Sequence, residues 1–387
     1  MYRSKSKICE LRHPGWLNPL LMLLLLTALV SVAAAADKTY PGELYDIGTH
    51  RLHMHCMGEG SPTIVIDSGA GGFSLEWINI QNNLAEHTRI CSYDRAGYGF
   101  SDPGPLPRTS AQITFELRKL LDAANVAGPY VLVGHSFGGY NIRYFASLYP
   151  DEVVGMVLVD ASHPEQFNTE EFKHVKLGTD NKEPKPMHKR VRMIRPVIAP
   201  NFPEQNRMQA YMLMMSMKSR MTVIDELDNM EYSARQIMQH EELKAFEFPL
   251  VIITRGKRVW PNTEMGDRRE QQWTWLQNDL ENISTQSYHF IARNSGHIVH
   301  LDEPDLVSSN IRFALDRART YDNEQQLIEK FDIRLAHYGT IQYPLSVNYY
   351  KPASANNDFF VMEQDYQQVL FNTELSHVQA LTDSLPY

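Results

Sequence analysis

Tyr130-Val131-Leu132-Val133-Gly134-His135-Ser136-Phe137-Gly138-Gly139 is the stretch whose reading decides the fold. An apolar run of strand length comes first, and helical spacing follows over residues 137–149. Between them, Gly134 to Gly138 fits the pattern Gly-x-Ser-x-Gly. Alone the pattern is weak, because glycine and serine are common. Its setting between a buried strand and a helix gives it weight. A turn that sharp would bring the side chains flanking the serine into collision, and glycines at 134 and 138 remove the clash. Gly139 lets the helix pack close to the sheet. The Ser136 hydroxyl is then expected at the carboxyl edge of the strand. The helix N-terminus beside it favours developing negative charge.

Working outward, strand-like and helical segments alternate. Strands are expected at 43–47 and 51–57, then at 63–66, where the β-branched run ends in Ser68-Gly69-Ala70-Gly71-Gly72. Residues 74–87 have helical spacing, with Trp77, Ile80 and Leu84 on one side. A strand at 89–93 ends in Asp94-Arg95-Ala96-Gly97-Tyr98-Gly99. Helix 109–124 carries Ile113, Leu117, Leu120 and Leu121 on one stripe, and a strand is expected at 153–159. The alternation resumes with strand 249–253, helix 266–280 and strand 286–291. This order predicts an α/β domain: a mostly parallel sheet with helices on both faces.

The interval 164–248 breaks the pattern. It holds no strand-like run and carries 10 of the chain's 17 methionines. It reads as a helical cap inserted over the sheet's edge, between core segments 43–163 and 249–317. Its methionines could line an acyl pocket, since methionine adapts to varied apolar shapes; as a stripe they would instead pack the cap's own helices. Residues 318–387 form a C-terminal extension, with helical spacing at 325–336 and 365–381.

Composition narrows the class. The 387 residues include 43% hydrophobic and 21% charged side chains, enough for a sizeable core. A net charge of −9 gives nucleic-acid binding no electrostatic support. The first 36 residues read as an export signal: Arg3, Lys5, Lys7 and Arg12, an apolar run over 20–32, then Ala34-Ala35-Ala36. The alternative is a retained membrane anchor, for which the apolar segment is slightly short. Export would place the chain in the periplasm or outside the cell. There Cys56 and Cys91 could form a bridge, or they could remain two buried thiols. No cysteine and histidine spacing resembles a structural zinc site.

A serine hydroxyl is a poor nucleophile and needs a base. His297, in Asn294-Ser295-Gly296-His297 just after the last clear strand, is placed on the same sheet edge as Ser136. His300 is the second choice, and His135 should point elsewhere. The base needs an orienting carboxylate. Asp160 ends the strand that follows the nucleophile's helix and is preferred. Glu264 and Asp267, beyond the next strand, are the alternatives. An oxyanion site needs two aimed N–H groups. One is expected from Phe137, the other from Ala70 or Gly71.

These stretches resemble the α/β-hydrolase superfamily, in particular the group called α/β-hydrolase fold-1. The resemblance rests on residues 67–72, 92–102, 134–139 and 295–297, in that order, and covers roughly 43–316. It implies an eight-stranded, mostly parallel sheet and catalysis without a cofactor or metal. It puts Ser136 at the nucleophile position and His297 at the base position. Asp160 matches members that carry their acid one strand early. Two departures stand out: Ser68-Gly69 replaces the usual His-Gly of the oxyanion loop, and the later strand is followed by Arg255 rather than an acid. Relatives with an aspartate nucleophile, the haloalkane dehalogenases and epoxide hydrolases, are disfavoured by Ser136. The expected activity is hydrolysis of a small ester or related acyl bond, with a small-molecule acyl substrate as the partner. A ligand-binding protein without turnover and an acyltransferase or perhydrolase on the same residues are the competing classes.

Overall fold

The computed structural model describes residues 41–167, 199–241 and 245–337. The expected signal at 1–36, part of the cap and most of the expected extension lie outside them. The chain divides into a unit through Glu329 and a second from Lys330 to Tyr387. Of the second, only the helical residues up to His337 are described.

One eight-stranded sheet organises the first unit. Its strands are β1 (Glu43–Asp46), β2 (Arg51–Met57), β3 (Thr63–Asp67), β4 (Ile90–Asp94), β5 (Tyr130–His135), β6 (Val153–Val159), β7 (Phe246–Arg255) and β8 (Ser284–Ala292). They lie in the order β1-β2-β4-β3-β5-β6-β7-β8. The β1–β2 and β2–β4 pairs are antiparallel and the rest are parallel. Cys56 and Cys91 face each other across the β2–β4 pairing and are joined by a disulfide.

The central strands are apolar on both faces because both faces are covered. Val65, Leu132, Met156 and Leu158 point to one side. There Leu117, Leu120 and Leu121 of α2 (Ser110–Ala123) meet them, with Ile142 and Phe145 of α3 (Gly138–Leu148). Ile64, Ile66, Val131, Val133, Val157 and Val159 point to the other. That face is covered by Trp77, by Ile80 and Leu84 of α1 (Ile78–Leu84), and by Val307, Ile311 and Leu315 of α9 (Pro304–His337). Each such side chain contributes about 1.5–3 kcal/mol when fully buried. Between β7 and β8 lies α7 (Glu264–Asp279), capped by the Thr263 hydroxyl on the Gly266 N–H at 3.1 Å. The short α8 (Val299–Asp302) precedes α9.

The last helix differs from expectation. Residues 325–336 are the end of a single 34-residue helix that begins at Pro304. The boundary expected at 317/318 falls inside it. Ala314, Leu315 and Ala318 belong to one buried face, and no glycine or proline interrupts residues 305–337.

The cap is helical: α4 (Glu204–Met215), α5 (Met217–Asp228) and α6 (Met230–Glu241) lie between β6 and β7. Met230, Ala234 and Ile237 pack α6 on Phe137, Tyr140 and Tyr144. α5 lies on the loop after β4. Gly97, at φ +93°, is needed there, because a Cβ would overlap the Thr222 hydroxyl. The described cap methionines divide between two environments. Met230 is buried and Met214 packs beside Phe73 and Tyr98, whereas Met208 and Met212 are 73% and 65% exposed. On α4, Met208, Met212 and Met215 share one exposed face at i, i+4 and i+7, and Ala210 is the helix's one buried residue.

Candidate active site

Two turns at the carboxyl edge of the sheet set the site. At the end of β5, Ser136 takes φ +51°, a conformation few L-residues adopt. A Cβ at Gly138 would overlap the Asp67 carbonyl, and one at Gly134 would come within 2.8 Å of the Gly138–Gly139 peptide. One strand over, Asp160 takes φ +40° directly after β6. The turns are tied together: Ser136 N–H donates to the Val159 carbonyl (3.2 Å) and Ser162 N–H to the Ser136 carbonyl (3.0 Å).

The structure brings Ser136, His297 and Asp160 into one line. His297 Nε2 lies 3.0 Å from Ser136 Oγ, and His297 Nδ1 lies 2.6 Å from Asp160 Oδ2. The Asp160 side chain is fully buried, while that of His297 is 36% exposed and reachable from solvent. Burial alone would raise the Asp160 carboxyl. The His297 hydrogen bond and charge, the Arg255 guanidinium and the Trp273 indole outweigh it and hold the group below its ordinary value. Two of these partners escaped the sequence reading. Arg255 donates from Nη1 to Asp160 Oδ2 (3.0 Å), and its backbone N–H lies 3.3 Å from Oδ1. Trp273 Nε1 donates to Oδ1 at 2.9 Å. Arg255 stacks with its guanidinium 4.7 Å from the rings of both Trp260 and Trp273. The end of β7, where the resemblance implies an acid, is thus occupied by a cation that holds Asp160 directly after β6.

The other candidates lie elsewhere. Glu264 pairs with Arg268 (2.7 Å) and Asp267 with Arg258 (2.5 Å), all on exposed parts of α7 and its approach. His300 is buried and stacked on Trp77, with ring centroids 4.1 Å apart. Burial, with the His297 charge, pushes it down to about 3, so it is neutral at ordinary pH. It lies 3.4 Å from the carboxyl of Glu76, which burial pushes up to about 8. His135 is buried, with its ring centroid 4.8 Å from that of His297 and 4.6 Å from that of His300. Burial drives it well below its ordinary value, and its Nε2 lies 2.8 Å from the His297 carbonyl. A carbonyl only accepts, so Nε2 carries the proton and donates.

The loop after β3 lies against the serine. A Cβ at Gly69 would come within 3.2 Å of Ser136 Cβ and 2.8 Å of His135 Nδ1. Ala70 is half-buried beside Phe137, Leu227 and Met230. Phe137 is the N-cap of α3, which puts its N–H at the positive end of that helix. Gly71, at φ +85°, follows Ala70 in the same loop and is the other candidate for the second oxyanion donor. Among the described residues no group of three or more His, Cys, Asp or Glu side chains could hold a metal ion.

A sheet of this order, with a serine at the β5–α3 turn, is the α/β-hydrolase fold. The family model for that fold matches residues 62–179. A Hormonema carpetanum protein named as transporter efuK is 39% identical over 127 residues, covering 31% of this chain and 18% of that protein. The chain thus spans less than a fifth of that relative's length. YqjL of Bacillus subtilis is 29% identical over 255 residues, 66% of this chain and 83% of its own. Among solved structures, Cfl2 from Burkholderia cenocepacia superposes with a TM-score of 0.56 at 17% identity, covering 71% of this chain and 95% of that one. The chain has the fold of the α/β-hydrolase superfamily.

Proposed function

We propose that this chain is an exported serine hydrolase that cleaves a small ester or related acyl bond through an acyl-enzyme. The observation that carries the reading is the unbroken line Ser136 Oγ–His297–Asp160 at 3.0 and 2.6 Å. Ser136 sits where G-x-S-x-G proteins of this fold expose a nucleophile. Its Oγ attacks the substrate carbonyl carbon while its proton passes to His297 Nε2. The carbonyl electron pair moves onto oxygen and is held by the N–H groups of Phe137 and Ala70. His297 returns the proton to the leaving oxygen as its bond to carbon breaks. Water then gives a proton to His297 and attacks the acyl-enzyme. Collapse releases the acid and reprotonates Ser136. Asp160 keeps the Nδ1 proton in place and stabilises the imidazolium.

The basic and apolar start of the chain supports export, as does the Cys56–Cys91 bridge, which persists in oxidising compartments. No described helix is long and apolar enough to cross a membrane. Labelling with a fluorophosphonate probe tests the chemistry, with Ser136→Ala alongside. Labelling of the wild type that disappears in the variant is expected. A folded wild type that stays unlabelled at neutral pH would sink the hydrolase reading and favour a ligand-binding role.

A further inference from the structure

The Asp94-Arg95 pair at the end of β4 supplies a cation that the steps above leave unused. Arg95 is 2% exposed, and all five of its guanidinium N–H bonds are placed. Nε and Nη2 grip Glu226 of α5 at 2.8 and 2.9 Å. Nη1 donates to Asp67 Oδ1 at 2.7 Å and, very closely, to the Ser68 carbonyl. The second Nη2 proton goes to the Gly69 carbonyl at 2.8 Å. Tyr98 adds its hydroxyl to Glu226 (2.8 Å), and Tyr93 adds its own to Asp67 (2.6 Å). Burial alone would lower the guanidinium, but Glu226 and Asp67 more than offset it, so the group stays charged.

The two carbonyls matter because of what lies at the other end of each peptide. In a planar trans peptide the C=O and N–H point in opposite directions. The Gly69 carbonyl and the Ala70 N–H belong to one such unit. Pulling the carbonyl onto Arg95 therefore turns the Ala70 N–H away from the guanidinium. The loop's other side lies against Ser136 and His135. A peptide unit between glycine and alanine would otherwise turn readily, since Gly69 restricts it little.

We propose that Arg95, clamped by Glu226 of the cap, is the positioning residue for the oxyanion loop, so that docking of α5 on the core holds the Ala70 N–H aimed at the developing oxyanion. The inference rests on the serine hydrolase reading for its effect on rate, but not for its effect on the peptide. Asp67 anchors the guanidinium from the sheet and Glu226 from the cap. A lysine at 95 has three donors in place of five and no planar fork, so it must abandon some of these partners.

The test uses the full chain and compares wild type with Arg95→Lys and Glu226→Gln, each shown to be folded by its melting curve. Three quantities are read: kcat and KM on p-nitrophenyl acetate, the rate of fluorophosphonate labelling, and the Gly69–Ala70 peptide orientation in crystals. Loss of one oxyanion donor costs roughly 100-fold or more in kcat. A fall on the order of 100-fold is expected for Arg95→Lys, in both kcat and labelling. For Glu226→Gln, which keeps the guanidinium but loosens it, about tenfold is expected on the same scale. KM should stay nearly constant, and the peptide should be rotated in the lysine variant. Undiminished labelling with an unmoved peptide in folded Arg95→Lys overturns the proposal, as does a loss confined to KM. Should wild-type Ser136 show neither labelling nor turnover, the hydrolase reading fails. The peptide orientation alone then decides whether Arg95 holds the loop.

Discussion

Two buried arginines flank Ser136, and they hold their charges differently. Arg95 sits at the end of β4 and joins core to cap, with one carboxylate from each, Asp67 and Glu226. Arg255 sits at the end of β7 and serves only the acid side, pairing Asp160 and Glu270 between two indole rings. Asp160 has donors besides the Arg255 side chain: His297, the Trp273 indole and a backbone N–H. The two loop carbonyls have the Arg95 guanidinium, helped only by the Gly72 N–H on Gly69 at 3.1 Å. Asp160 is held redundantly, whereas the Ser68 and Gly69 carbonyls share one side-chain donor, the Trp77 indole bonding the Ser68 hydroxyl instead at 3.0 Å.

That contrast orders the outcomes of substitution. Asp160→Asn strikes the point where all the acid-side donors converge. It should lower kcat by about 10³–10⁴-fold with the melting curve little changed. If Asp267→Asn matched it, the acid would have been misassigned. Arg255→Met removes one charged donor of several and should cost about tenfold in kcat, the scale of a single charge-assisted hydrogen bond. A loss as large as that of Arg95→Lys would break the claim of redundancy. Trp273→Phe deletes the indole N–H and keeps an aromatic face for Arg255. About threefold in kcat is expected, near the low end for one hydrogen bond.

The smallest effect at neutral pH is one of stability. Burial pushes His163 and His300 down to about 3, so the folded chain keeps them neutral while the unfolded chain protonates them near the ordinary histidine value of 6.5. Stability is therefore undiminished above pH 6.5 and falls as pH drops towards 3. The slope is about 1.4 kcal/mol per pH unit for each such histidine. Urea midpoints at pH 7 and pH 5 should diverge for wild type and converge in part for His300→Gln. A wild type with equal midpoints would show that these rings are protonated inside the fold.

Much of the frame was legible because it depends on neighbours in sequence. The glycines at 134, 138 and 139 answer a local steric demand, so the β5–α3 turn could be read from ten residues. Asp160 could be read as the residue ending a strand, and His297 as part of the loop after the last one. Arg255 and Trp273 could not. Their partner Asp160 lies 95 and 113 residues away, and nothing local says that a cation would stand where an acid is usual. The local signal is an anomaly: an arginine stands at the end of β7, where the resemblance implies an acid. Arg95 belonged to a quoted stretch, but its cap partner Glu226 lies 131 residues on.

His135 gives the site a shared mount. It leaves the nucleophile's own strand, and its ring carries the backbone of the base. The His297 backbone is thereby tied to the central strand β5 that leads into Ser136, although His297 itself follows the edge strand β8. The letter between Gly134 and Ser136, written as x in the motif, is then a fastening between two loops that the motif's named letters do not supply.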